Sequence, residues 1–83
     1  MKITVKTTGL LGQYLPAGTD GDTAEIEVAP DATPVDVIKF LDMPPEGTYL
    51  VVLNGASVAR REHGSRVLSE GDVLAIMPPL RGG

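Results

Sequence analysis

The residues that invite chemistry stand at the end of the chain, where Met77 to Gly83 read "MPPLRGG" and Gly83 carries the α-carboxylate. Prolines favour an extended left-handed backbone with little entropy to lose, so Pro78-Pro79 act as a stiff stalk. Gly82 and Gly83 have no Cβ and fit a channel too narrow for any side chain. A carboxylate is inert as it stands. Activation by ATP to an acyl-adenylate makes it electrophilic, and exchange of the adenylate for sulfur gives a thiocarboxylate, a nucleophile and a transferable sulfur. The opposing reading is a frayed terminus without a role, as at many chain ends. On the residues alone the two readings weigh equally.

No other group competes for chemistry. His63, the single histidine, sits in the polar stretch "REHGS" and reads as a solvated loop residue. Asp20-Gly21-Asp22 lacks the further oxygen ligands and the late glutamate of a calcium loop, and reads as an acidic turn. The glycine-rich stretch from Gly9 to Gly21 matches neither a phosphate loop nor a dinucleotide fingerprint. Ser57, Ser65 and Ser69 have no base beside them in a known motif. The chain has no cysteine, which excludes a disulfide framework, a thiolate metal site and a thiol nucleophile. Arg60-Arg61 with Arg66 form a small basic island, read either as a docking contact or as a solvated loop offsetting Glu62 and Glu70.

A carboxylate on a stalk needs a body to hold it. Eighty-three residues allow one domain, expected as a folded unit over 1–77 with a flexible tail over 78–83. A chain of this size buries only about 60–65% of its unfolded surface, so the core is a single pair of layers. A net charge of −4 and three aromatic residues argue against nucleic-acid binding, which needs a basic stripe or stacking platforms. The opening "MKITVKTTG" is no signal peptide, and no run approaches the roughly 20 apolar residues of a membrane span. With the absence of cysteine, the expected setting is reducing and cytoplasmic.

Alternation of Ile3 and Val5 with Lys2, Thr4 and Lys6 predicts a half-buried strand, and Ala24, Ile26 and Val28 against Glu25 and Glu27 predict a second, paired with the first. Between them Leu10, Leu11, Tyr14 and Leu15 pin a long connection to the core, with room for a short helical turn. Thr33 is a natural N-cap, Pro34 suits the first helical position, and Asp36 can return the capping bond. Val37, Ile38 and Leu41 then share one face of a short helix that Pro44-Pro45 stop. "TYLVVLNG" is a strand ending in an Asn54-Gly55 turn, Val58 marks a short edge strand, "SEGD" is a turn, and "VLAIM" is the last strand. Strand, strand, helix, strand, loop, strand is the order of an α+β, ubiquitin-like β-grasp roll: a mixed sheet of four to five strands with one helix on one face. "YLVVL" and "VLAIM" are apolar on both faces, while one helix covers only one. Some of Leu50, Val52, Leu74 and Ile76 are therefore expected in an exposed apolar patch, the mark of an interaction site.

Three stretches in order resemble the ubiquitin-like sulfur carriers, the small subunit of molybdopterin synthase and the thiamine-pathway carrier: "VVLNG" (51–55), "LSEGDVLAIMPP" (68–79) and the terminal Gly82-Gly83. The resemblance implies that an E1-like adenylyltransferase activates the Gly83 carboxylate with ATP. A sulfurtransferase or persulfide donor then makes the thiocarboxylate, and a large synthase subunit takes the sulfur with the tail threaded into its site. Pro79, Leu80, Arg81 and Gly82 become the recognition segment, with Arg60 and Arg61 beside the apolar patch as interface candidates. The carrier is then a co-substrate without catalytic residues, bound cofactor or metal. Length and the double proline resemble the molybdopterin branch, and "NGASVARR" the thiamine branch. "LRGG" is how ubiquitin ends, which keeps conjugation of Gly83 to target lysines as an alternative, beside a non-reactive β-grasp binding module.

Overall fold

The computed structural model describes residues 1–15, 22–43 and 49–78. Five strands, β1 (Lys2–Thr7), β2 (Thr23–Glu27), β3 (Leu50–Leu53), β4 (Ala56–Ser57) and β5 (Val73–Met77), form one sheet in the order β2-β1-β5-β3-β4. β1 runs antiparallel to β2 and parallel to β5, and β3 runs antiparallel to β5 and β4. The helix α1 (Pro34–Phe40) covers one face. This is the expected α+β, β-grasp roll with a mixed five-stranded sheet.

Each element follows from its residues. Thr33 caps α1 as expected: the Asp36 backbone N–H donates to Thr33 Oγ1 (3.4 Å), the Thr33 N–H donates to Asp36 Oδ2 (2.9 Å), and Pro34 occupies the first turn. Val37, Ile38 and Leu41 turn inwards onto Ile3, Val5, Val51, Leu74 and Ile76. The expected stop at Pro44-Pro45 lies outside the described residues. The observed helix end comes earlier. Asp42 takes a left-handed φ of 60° and donates its N–H to Lys39 O (3.0 Å), while Met43 donates to Ile38 O (3.1 Å). That is a Schellman cap, closed by the buried pair Ile38 and Met43.

Asn54 and Gly55 have φ of 50° and 86°, the left-handed pair that a tight β3–β4 hairpin needs. β4 is two residues long. It is the short edge strand expected near Val58, and Val58 itself follows it into the core, donating its N–H to Val51 O (2.9 Å). After β1 the expected helical turn is a 3₁₀ turn over Gly9–Tyr14, with Leu15 buried and Leu11 and Tyr14 packed on the core.

Candidate functional site

The site is built where β5 ends. β5 lies between two neighbours, bonded in parallel to β1 and in antiparallel to β3, with Thr7 beside Ile76 and Leu50 beside Met77. The chain therefore leaves the sheet from a root held on both sides. Pro78, the next residue, is exposed and has no N–H to add to either ladder. The predicted tail residues Pro79, Leu80, Arg81, Gly82 and Gly83 lie outside the described residues.

The far end of β5 is tied down by a polar clasp. The Val73 N–H donates to Asn54 Oδ1 (2.8 Å), and Asn54 Nδ2 donates to Asp72 Oδ1 (2.9 Å). The other Asp72 oxygen accepts the Ser69 N–H (2.7 Å), and the Gly71 N–H, at φ 84°, donates to Lys2 O (2.8 Å). The "NG" and "SEGD" turns thus act as one unit, locking the start of β5 to β1 and β3. That interlock was the feature that reading the two turns separately missed, although both dipeptides were visible.

The sheet face away from α1 carries an apolar strip. Side chains paired across strands share a face, so Leu50 and Val52 on β3 stand with Met77 and Ala75 on β5. Leu50 is 39% exposed, and Val52, Val73, Ala75 and Met77 are partly exposed. The expected patch exists, but two of its four members are corrected. Leu74 and Ile76 are both 0% exposed, because their parity on β5 points them at Val5, Val51 and Leu53 under the helix. Their places on the outer face belong to Val73, Ala75 and Met77.

Charges flank this strip. Lys2 and Lys6 stand exposed on β1, level with Thr4, which pairs with Val73. Arg60 and Arg61 are exposed on the 3₁₀ turn Arg60–Glu62 beyond β4. On the Arg60 side a cleft of about 300 Å³ is walled by Tyr49, Leu50, Val52, Ser57, Arg60 and Met77. Arg60 is thus brought to the apolar strip beside the exit. The alternation in "KITVKT" puts both lysines on the outer face, but only the β1–β5 pairing sets them beside the strip.

His63 corrects a second expectation. It is buried, only 8% exposed, and its ring Nε2–H donates to the Val58 carbonyl at 3.1 Å. Its own carbonyl accepts the Val35 N–H at the start of α1 (2.9 Å). The residue fastens its loop to the helix, which its polar neighbours conceal. Among the described residues no group of three or more His, Asp or Glu side chains could hold a metal ion, and no helix is long and apolar enough to cross a membrane.

Several known proteins share this architecture. Small archaeal modifier protein 1 of Haloferax volcanii superposes with a TM-score of 0.69 at 25% identity, over 95% of this chain and 98% of that one. A Pyrococcus furiosus protein described as molybdopterin converting factor subunit 1 gives a TM-score of 0.70 at 25% identity, over 95% and 98%. The complex of subunits 1 and 2 of the molybdopterin-converting factor from Helicobacter pylori contains a chain with a TM-score of 0.62 at 19% identity, covering 100% of both, a likeness of fold. No curated protein matches in sequence. The ThiS family pattern matches residues 15–83, from the end of the first 3₁₀ turn through the strip, the clasp and the terminal diglycine. With that span matched and the β-grasp sheet beneath it, the chain belongs to the ThiS family of ubiquitin-like sulfur carriers.

Proposed function

We propose that the protein carries sulfur as a thiocarboxylate on Gly83. An E1-like adenylyltransferase joins the Gly83 carboxylate to the α-phosphate of ATP, and pyrophosphate leaves. Persulfide sulfur from a sulfurtransferase then displaces AMP, and a thiol reduces the resulting acyl disulfide to the free thiocarboxylate. A large synthase subunit receives the sulfur for cofactor biosynthesis, of molybdopterin first and of the thiamine thiazole next. The carrier supplies no catalytic residue; Pro79, Leu80, Arg81 and Gly82 are read by the partners' channels.

The observation that carries this reading is the family match running to the diglycine that follows a strand bonded on both sides. The Pyrococcus and Helicobacter proteins favour the molybdopterin branch, and the subunit 1–subunit 2 complex favours a synthase partner. Residues 79–83 span at most about 18 Å when fully extended. A partner that takes Gly83 must therefore cover the body close to Met77, where the strip of Leu50 and Val52 begins.

The test is intact mass after incubation with an E1-like enzyme, ATP and a sulfur source. One oxygen exchanged for sulfur at the C-terminus is expected, and it is lost on deletion of Gly83. Gly82→Ala is expected to leave folding unchanged yet impair transfer. Likeness to a protein named as a modifier, with "LRGG" at the terminus, favours conjugation as the second reading. Adducts on target proteins without sulfur exchange would move the assignment there.

A further inference from the structure

β2 lies at one end of the strand order and pairs only with β1, so its outer side is an open sheet edge among the described residues. The opposite edge, β4, is only two residues long. Which backbone groups point outwards follows from two bonds. The Val28 N–H donates to Met1 O (2.8 Å) and the Thr7 N–H donates to Asp22 O (2.9 Å). Residues of that parity, with Ala24 and Ile26 between, are bonded to β1. The N–H and C=O groups of Thr23, Glu25 and Glu27 therefore face outwards, a ready template for one more strand.

A groove of about 510 Å³ lies beside the end of this edge, between the β2–α1 connection and the helix. Val28, Ala29, Ala32 and Phe40 give it an apolar floor, and Phe40 is 59% exposed. Glu27, Asp31 and Asp36 line the rim. Two of these carboxylates already have partners: Glu27 meets the Met1 ammonium at 3.1 Å, and Asp36 holds the Thr33 cap. Glu25 and Asp31 are exposed acids for which no ion pair occurs among the described residues.

We propose that this edge and groove bind an extended segment of a partner protein in which basic and apolar residues alternate, by strand addition to β2. Side chains of one parity would meet Phe40 and the groove on the helix side. Those of the other parity would run along Glu25 and Glu27 on the outer face. A second copy of β2 is disfavoured as occupant, because it would set Glu25 and Glu27 against the same glutamates. The surface is separate from the exit strip and does not depend on the chemistry of Gly83.

The probe is a capped peptide of alternating lysine and valine, titrated into the full ¹⁵N-labelled chain. Amide shifts at Thr23, Glu25, Glu27 and Phe40 are expected, with Glu25→Lys weakening binding about three- to tenfold. The decisive control is the same peptide N-methylated at alternate residues, which keeps charge and side chains but loses the bonding edge. It is expected not to bind in one of its two methylation registers. Equal binding by both methylated registers, shifts confined to Leu50, Val52 and Met77, or concentration-dependent dimerisation through β2 would each overturn the proposal. Unchanged dispersion of the free Glu25→Lys spectrum separates lost binding from lost fold.

Discussion

Asn54 offers the sharpest test of how this body is held together. It is exposed and outside the core, yet it joins three features: a left-handed φ of 50°, a bond to the Val73 N–H and a bond to the Asp72 carboxylate. Asn54→Ala removes both side-chain bonds, each contributing about 0.5–1.5 kcal/mol, with solvent access holding them near the lower figure. It also places alanine in the left-handed region at about 1 kcal/mol. The expected loss is about 2–3 kcal/mol, against a total of about 4–12 kcal/mol for a domain of this length. That is a fall in Tm of roughly 10–20 °C. Asn54→Gly loses the bonds but keeps the backbone conformation, and should be milder by about 1 kcal/mol. Urea unfolding of both variants, with Asp72→Ala and the double mutant to complete a cycle, reads these quantities. Equal losses in the alanine and glycine variants would refute the backbone contribution. An alanine loss below about 0.5 kcal/mol, the range of ordinary surface substitutions, would refute the clasp itself.

Three further outcomes are expected. Ile76→Ala should cost about 2–5 kcal/mol by opening a cavity under the helix, whereas Leu50→Ala, from the exposed strip, should cost under about 1.5 kcal/mol; denaturant midpoints of the pair test the assignment of sheet faces. Thr33→Ala removes the Oγ1 arm of the capping box, leaving only the backbone N–H at position 33 on Asp36, and should cost about 1 kcal/mol, seen as a lower urea midpoint at unchanged slope. Asp42→Asn keeps a residue that tolerates φ 60° and removes an anion from the negative end of α1, so thermal melts should show a gain of about 0.3–1 kcal/mol.

Where the sequence alternates, it announces the fold. Ile3 and Val5 against Lys2 and Lys6 leave one choice of inner face, and the observed β1 takes it. The same holds for Thr33, Pro34 and Asp36, where each residue type satisfies a different demand of a helix start. "YLVVL" and "VLAIM" carry no such information, since both parities are apolar, and only the register of Leu50 with Met77 decides which residues face out. The helix stop was concealed for another reason. A Schellman cap is usually signalled by glycine, and here Asp42 takes its place with Met43 supplying the apolar contact. The polar composition around His63 reports the loop's surface, while its burial depends on Val58, five residues away.

The two ends of β5 thus divide the work. At the start, Asn54, Asp72 and Gly71 lock the strand to its neighbours through polar groups. At its finish the strand stays bonded to Thr7 and Leu50 up to the residues before Pro78, so the point from which the chain leaves the sheet is held on both sides. A partner seated on Leu50, Val52 and Met77 then meets the tail without having to order its root, which lowers the entropic cost of threading it. β2 lies two strands from β5, about 10 Å away across the sheet. A strand added at that edge leaves the exit strip open, so a peptide bound there should leave the rate of the proposed adenylation at Gly83 unchanged. A carrier whose activation slowed in proportion to edge occupancy would show that the two surfaces are not separate.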